Sequence, residues 1–435
     1  MISPTFRMTR VKGVHPRLIT QPPDTRASLA LLPPLKGLGD DFAWALWYSV
    51  WKACAPGDEA PTPPDGHDGI PDRFRAAAES VPELREEIET LARFAGGYED
   101  PSAASDALMR VGDWAAARAL SEPAIQCAEA GAALVPASAR RALAAGRMNR
   151  LFGEVARAEL YYERAIALAR HSRSWRTYVR AHLGKGHVKK ALGDWDAARA
   201  HYSTAARAAV SLSGEKWLAA QTQHDLLALA AEEGALAEAI FHAQRAVKWY
   251  PRHHARFPAL THDLGFVLVR MGLFAEAVPV LTAVMRAPIP PADQVIGWST
   301  LARAAAGSGD AAAFHTAAEN TLRLVGLFDL YAAGAFANLA CGAHLLGIWE
   351  QAEQYAQRSL ELANARSELA AGDVARSVLD AVRTHRPAER GSGGEAKHLA
   401  RILELTAEVA AHLTAWRGPT WKRRRQSGPE RLGRI

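Results

Sequence analysis

Small, apolar and polar residues follow one order repeatedly along this chain. In the stretch Ala181–Ala205, Gly186 lies seven residues before Gly193, and Trp195, Ala198, Tyr202 and Ala205 follow at offsets of two, five, nine and twelve. The stretch before it places Gly146, Gly153, Val155, Ala158, Tyr162 and Ala165 at the same offsets. Later stretches give Gly234, Leu236, Ala239 and Ala246, then Gly265, Gly272, Phe274 and Ala277. Small and apolar residues at one-turn spacings on both sides of a glycine predict two helices joined by a tight turn. The glycine supplies the left-handed cap. That glycine recurs as Gly112, Gly153, Gly193, Gly234, Gly272, Gly309 and Gly347, at spacings of 41, 40, 41, 38, 37 and 38 residues. A period of this length predicts stacked helical hairpins, each too thin to bury its apolar face alone.

The position five after each glycine reads Ala117, Ala158, Ala198, Ala239, Ala277, Phe314 and Ala352. Alanine there lets two helix axes approach, and a neighbouring aromatic fills the remaining gap. The sixth copy departs, with Phe314 in place of alanine and Gly307-Ser308-Gly309 at the turn, so distortion is expected there. On these residues the chain resembles the tetratricopeptide repeat (TPR) family. The resemblance implies an all-α, right-handed α-solenoid of about seven hairpins over residues 100–365, with a ligand peptide lying on the concave face lined by the first helix (helix A) of each hairpin.

The flanks differ from the array. Residues 1–38 are rich in proline and basic residues and predict a disordered or draped arm. Residues 39–99 predict a helical cap. Within it, residues 40–55 form a helix carrying Trp44, Trp47 and Trp51 on one stripe, which either packs as a lid on the array or presents a partner-docking face. Residues 56–69 read as an acidic Pro/Gly linker, and Ser80-Val81-Pro82-Glu83 reads as a capping box for a helix ending at Gly96-Gly97. Residues 366–416 predict C-terminal capping helices, interrupted by a flexible break at 387–394.

Of 435 residues, 49% are apolar, enough for a continuous core, and no apolar run approaches a membrane span of about 18–20 residues. Three scattered cysteines and an N-terminus without a signal-like core point to a reducing, cytoplasmic setting, and the Ala/Arg-rich composition is bacterial in style. The net charge of +6 is carried by residues 417–435, which hold seven basic residues and one acid, Glu430. Residues 1–416 are formally neutral, which is not the profile of a body that wraps nucleic acid; contact with nucleic acid or acidic membrane falls to the basic tail, where Trp421 stands beside Lys422–Arg425.

Signatures of chemistry are missing from the sequence: it contains no GxxxxGK[ST], CxxC, HExxH or GxSxG, so neither catalysis nor a cofactor is expected. His253, His254 and His262 lack a cysteine and lie among arginines, which argues against a metal site. His224-Asp225 and His262-Asp263 recur 38 residues apart. Adjacent helical residues point about 100° apart, so the expectation is a histidine ladder along the groove rather than paired side chains.

Transferred through the resemblance, the ligand-facing positions are thirteen, ten, six and three residues before each turn glycine. They give Arg140, Leu143, Arg147 and Arg150, then Arg180, Leu183, His187 and Lys190. The following repeats give Gln221, His224, Ala228 and Ala231, and Ala259, His262, Phe266 and Val269. Arg147 and His187 stand where the family's carboxylate clamp has asparagine, so the clamp itself does not carry over. The stripe is basic first and apolar later, which suits a protein or peptide with an acidic segment or a free C-terminal carboxylate. A solvated, unspecialised surface is the competing reading. The function expected is a non-catalytic binding adaptor; the alternative is a regulatory sensor whose repeats bind a peptide or effector and modulate a transcriptional or signalling partner.

Overall fold

The computed structural model describes residues 40–54, 69–118, 120–251, 253–326, 331–366, 368–387 and 396–414, and among these every regular element is helical. The chain divides into two compact units, residues 1–188 and 189–435. The arm at 1–38, nearly all of the 56–69 linker and the basic tail lie outside the described residues.

Unit 1 begins with α1 (Asp40–Cys54), α2 (Ile70–Ser80) and α3 (Arg85–Ala95). It continues with α4 (Pro101–Ala116), α5 (Ser121–Leu134), α6 (Ala139–Leu151) and α7 (Val155–His171), and α8 (Trp175–Ala191) runs across the division. Helices α4/α5 and α6/α7 pack as hairpins, while α1 packs on α2, α3 and α5. The buried stripe of α1 is Phe42, Leu46, Ser49, Val50 and Ala53; the three tryptophans flank it, half-buried. Trp44 stacks on Tyr48 at 5.1 Å, and the Arg73 guanidinium lies over it at 5.1 Å. The expected capping box does not form. Ser80 is the last residue of α2 and donates back to the Ala77 carbonyl at 2.9 Å, and a 3-10 turn at Pro82–Leu84 precedes α3.

Unit 2 contains α9 (Trp195–Ala208), α10 (Lys216–Glu233), α11 (Leu236–Trp249), α12 (Phe257–Arg270) and α13 (Phe274–Arg286). It then runs through α14 (Pro291–Gly307), α15 (Ala311–Val325), α16 (Ala332–Leu345), α17 (Trp349–Arg366), α18 (Leu369–Arg383) and α19 (Ala396–Thr414). Hairpins pair α10/α11, α12/α13, α14/α15 and α16/α17, and α18 stacks on α16 and α17. The last helix does not continue the stack. It folds back onto α11, α12 and α13, burying Ile402, Leu405, Val409 and Leu413 in their shared core.

The turns explain the periodicity. Gly153, Gly193, Gly234, Gly272, Gly309 and Gly347 all have φ between 72° and 86°. At Gly309 the amide donates to the Ala306 carbonyl and the following Asp310 amide to Ala305, both at 3.0 Å. The same pair of bonds closes the Gly153, Gly193, Gly234, Gly272 and Gly347 turns, satisfying carbonyls that a helix end otherwise leaves open. Gly112 is the exception. It lies inside α4, where a Cβ would come within 3.2 Å of the Ala124 carbonyl oxygen. Its role is close approach of α4 and α5; the chain turns only after Ala116. Ala117 is correspondingly an exposed C-cap, and Ala124 occupies the buried place in the second helix.

Packing follows the small-residue code elsewhere. Ala158, Ala198, Ala239, Ala277 and Ala352 are fully buried. Tyr162 is held between glycines of the helices on either side: a Cβ on Gly146 would sit 3.0 Å from its ring, and one on Gly184 at 2.2 Å. The sixth copy is regular rather than distorted. Phe314 is buried, and the space its ring needs comes from Gly342, where a Cβ would meet it at 2.7 Å. One large side chain and one glycine have exchanged places across the interface.

Since nothing lies within 4 Å of a Cβ added at Gly347 (φ 74°), an alanine there meets backbone strain alone. Gly347→Ala is expected to destabilise the chain by about 1 kcal/mol, with Gly347→Asn costing clearly less, because asparagine tolerates the left-handed region. Urea unfolding of the three proteins checks the order.

Candidate functional site

The sequence-derived positions fall in two groups. In unit 1, Arg140 and Arg147 are exposed, and Arg147 lies 3.7 Å from Asp113 with both side chains open to water. Arg150 is half-buried and donates to the Tyr162 hydroxyl at 3.3 Å. Arg180 and His187 are half-buried on α8. In unit 2, Lys190 is committed to Glu232 at 2.7 Å; burial opposes its charge, but the Glu232 carboxylate more than compensates and raises its pKa. Phe266 packs at the edge of the core, half-buried.

His224 and His262 come together, through a residue that sequence reasoning had set apart from them. Asp263 Oδ2 accepts from His224 Nε2 at 2.8 Å, and Asp263 Oδ1 from His262 Nδ1 at 2.9 Å. Neighbours on one helix turn do pair here, contrary to the expectation drawn from the 100° step, because a short carboxylate bent toward the adjacent ring spans the gap. Burial works against the Asp263 charge, but these two hydrogen bonds hold its pKa far below the ordinary range. An ionised carboxylate only accepts, so both imidazoles donate to it.

The chain of contacts continues along the first helices. His262 Nε2 meets the Thr300 hydroxyl at 3.0 Å, and Asn338 donates to Ser299 at 3.3 Å and to Thr300 at 3.4 Å. Asp225, Asp263, Thr300 and Asn338 each stand nine residues before a turn glycine, a register signal that was present in the sequence and went unread past Asp263. A polar ladder therefore crosses α10, α12, α14 and α16.

Beside its start, Arg256 lies 3.9 Å from Asp225. Asp225 and Asp293 are both raised by burial, with Arg256 pulling in the other direction. Tyr250 is also buried, its pKa raised mainly by burial. The Tyr250 hydroxyl and His224 Nδ1 are buried and have no hydrogen-bond partner among the described residues. His254 stacks on Tyr250 at 4.8 Å and on Trp217 at 5.7 Å, and burial together with Arg256 holds its imidazole down to about 4. Arg256, Tyr250 and Asp293 fall at helix ends, where offset from the glycine gives no guide.

A separate polar lock lies in unit 1. Glu129, fully buried on α5, accepts from Arg157 of α7 at 2.8 and 2.7 Å and from Asn149 of α6 at 2.9 Å. It joins one hairpin to the next. Among the described residues no group of three or more metal-binding side chains gathers, and no helix is long and apolar enough to cross a membrane.

The hairpins, their left-handed glycine turns and the small-residue code define an all-α helical-repeat fold. No family model and no curated protein matches the sequence. Among solved structures, the crystal structure of the P58(IPK) TPR domain matches at 12% identity, covering 80% of this chain and 99% of that one, with a TM-score of 0.22. So loose a superposition transfers neither residues nor partners.

His254 gives the site a pH signature. Its folded pKa is depressed to about 4, whereas unfolded histidine titrates near about 6.5. The unfolded chain therefore binds the extra proton, and stability is lost as pH falls from about 6.5 toward 4. Asp225 and Asp293, raised by burial, act with the opposite sign, so the comparison with a variant isolates the imidazole. Urea midpoints measured from pH 7.5 to 4.5 are expected to fall more steeply in the wild type than in His254→Gln.

Proposed function

We propose that this protein is a non-catalytic interaction scaffold, and that the helix-A faces of its hairpins receive a partner protein or peptide. The polar ladder supports this reading. A purely structural row needs only small and apolar residues, as Ala231, Val269 and Ala306 show three residues before their glycines. Nine and ten residues before them the row carries His224, Asp225, His262, Asp263, Ser299 and Thr300 instead. Burying such groups costs about 1–3 kcal/mol wherever hydrogen bonding is incomplete, a cost that recognition explains and packing does not.

The Asp263 side chain keeps 26% of its surface open to solvent, so the ladder is within reach of a ligand. In unit 1 the corresponding faces carry Arg140, Arg147 and Arg150, which suit an acidic segment or a terminal carboxylate. The helix-B faces carry ordinary i,i+3 surface pairs such as Arg358–Glu361 at 2.8 Å, worth little.

Capture from native lysate with quantitative mass spectrometry tests the reading. Arg140→Glu/Arg147→Glu in unit 1 and His262→Gln/Phe266→Ala in unit 2 probe the helix-A faces, and Arg358→Glu serves as a helix-B control. A partner kept by the wild type and the control is expected to fall by about tenfold with at least one helix-A variant of unchanged helicity, equivalent to about 1.4 kcal/mol. A partner that survives both helix-A variants and is lost with the control moves the interface to the other face.

A further inference from the structure

The outer face of α11 differs from the charged outer faces that follow it in the chain. Phe241, Arg245 and Lys248 are exposed and stand at i, i+4 and i+7, with the half-buried Trp249 beside them, so all four share one side of the helix. The other side, with Ala239, Ile240, Ala243 and Ala246, is buried in the core of unit 2. The Arg245 guanidinium lies 5.2 Å from the Phe241 ring centroid and 5.1 Å from that of Trp249. It is held between two aromatic rings of its own helix.

Acids are missing around it. The positions one turn away in either direction are Phe241, His242, Lys248 and Trp249. These are two rings, a second cation and an imidazole already donating to Gln223 at 2.8 Å. Glu238, the one acid of α11, is taken by Arg199 of α9 and by His242. Arginines on α17, α18 and α19 instead meet a carboxylate three residues away, in Arg358–Glu361, Arg376–Asp373 and Arg401–Glu404. Among the described residues, Arg245 and Lys248 have neither an ion pair nor a hydrogen bond.

This arrangement is unfavourable in the free protein. Like charges one turn apart destabilise a helix, and Phe241 leaves 50% of its surface in water. A ligand carrying negative charge next to an apolar group relieves both. The rings restrict the Arg245 side chain in advance, so little freedom is lost when its fork of donors closes on a carboxylate. Along the helix axis Phe241 and Arg245 are about 6 Å apart, and Arg245 and Lys248 about 4.5 Å. Alternate residues of an extended segment are about 6.6 Å apart, so an apolar residue and two acids at alternate positions meet the three side chains in order. Nucleic acid fits less well. Two cations are few against its row of phosphates, and rings turned toward a guanidinium offer bases a poor stacking platform.

We propose that the Phe241–Arg245–Lys248 face of α11 docks an acidic peptide segment of a partner protein. One carboxylate pairs with Arg245, a second with Lys248, and an apolar side chain lies on Phe241. The face belongs to a second helix of the array and is distinct from the helix-A faces.

Fluorescence anisotropy on the full chain reads binding of a fluorescein-labelled Leu-Ser-Glu-Ser-Glu peptide, with Leu-Ser-Gln-Ser-Gln as its neutral counterpart. At low salt the acidic peptide is expected to bind about tenfold more tightly than the neutral one. Arg245→Glu and Lys248→Glu, both at exposed positions, are each expected to weaken it about fivefold or more at unchanged helicity, and Phe241→Ala about twofold. Arg358→Glu, the same change of net charge on α17, is expected to leave it unaltered. A photoreactive benzoylphenylalanine in place of the leucine is expected to cross-link to α11. Equal binding of the two peptides, an Arg358→Glu effect as large as that of Arg245→Glu, or cross-links in residues 417–435 instead of α11 each overturn the site. An oligodeoxythymidylate whose binding needs Arg245 when that of the acidic peptide does not overturns the choice of partner. None of these results bears on the helix-A capture test, so the scaffold reading fails or survives separately.

Discussion

A single backbone requirement organises the array: the chain has to reverse direction between two helices without leaving carbonyls unsatisfied. A left-handed residue does this by letting two successive amides fold back onto the last helical turn, and only glycine takes that conformation without a steric cost. Six turns satisfy the requirement in the same way. Once the turns are fixed, the offsets are fixed too. Five residues on, the second helix crosses the first at its closest point, so alanine stands there. Nine on, an aromatic such as Tyr162 or Tyr202 fills the wedge toward the next hairpin. The pattern is therefore a set of distances from one turn, and a side chain's size is dictated by how far it stands from that turn.

The same logic shows where variation is tolerated. Phe314 breaks the alanine rule without disturbing its turn, because the volume it adds is removed at Gly342. Interfaces between hairpins conserve combined volume rather than residue identity, as close packing requires. Gly112 makes the complementary point. It matches the spacing of the turn glycines but serves helix contact, so periodicity alone does not distinguish a glycine needed for φ from one needed for the absence of Cβ.

Most of the fold was legible in the sequence because it is local: turns, offsets and helix lengths depend on residues within some 40 positions of each other. What escaped was non-local. The fold-back of α19 depends on the match between its Ile402–Leu413 stripe and a surface shared by three helices more than a hundred residues earlier, and no periodicity announces it. The site divides along the same line. His224, His262 and their aspartates were visible as a recurring pair, but their joining through Asp263 required the stacking distance between α10 and α12. Arg256, Tyr250 and Asp293 lie at helix ends, where an offset says nothing about direction. The Glu129–Arg157–Asn149 lock likewise draws on three helices.

The two buried polar systems differ in a way that bears on their roles. Glu129 meets an arginine fork and an amide in good geometry, so it is compensated and specifies how one hairpin sits on the next. The ladder in unit 2 is compensated only in part. Asp263 is secured by two imidazoles, yet Asp225 and Asp293 carry the cost of burial, and among the described residues the Tyr250 hydroxyl and His224 Nδ1 have no hydrogen-bond partner. A structural network under selection for stability alone would be expected to close, since each open group weakens the fold and an apolar replacement of similar size often costs nothing.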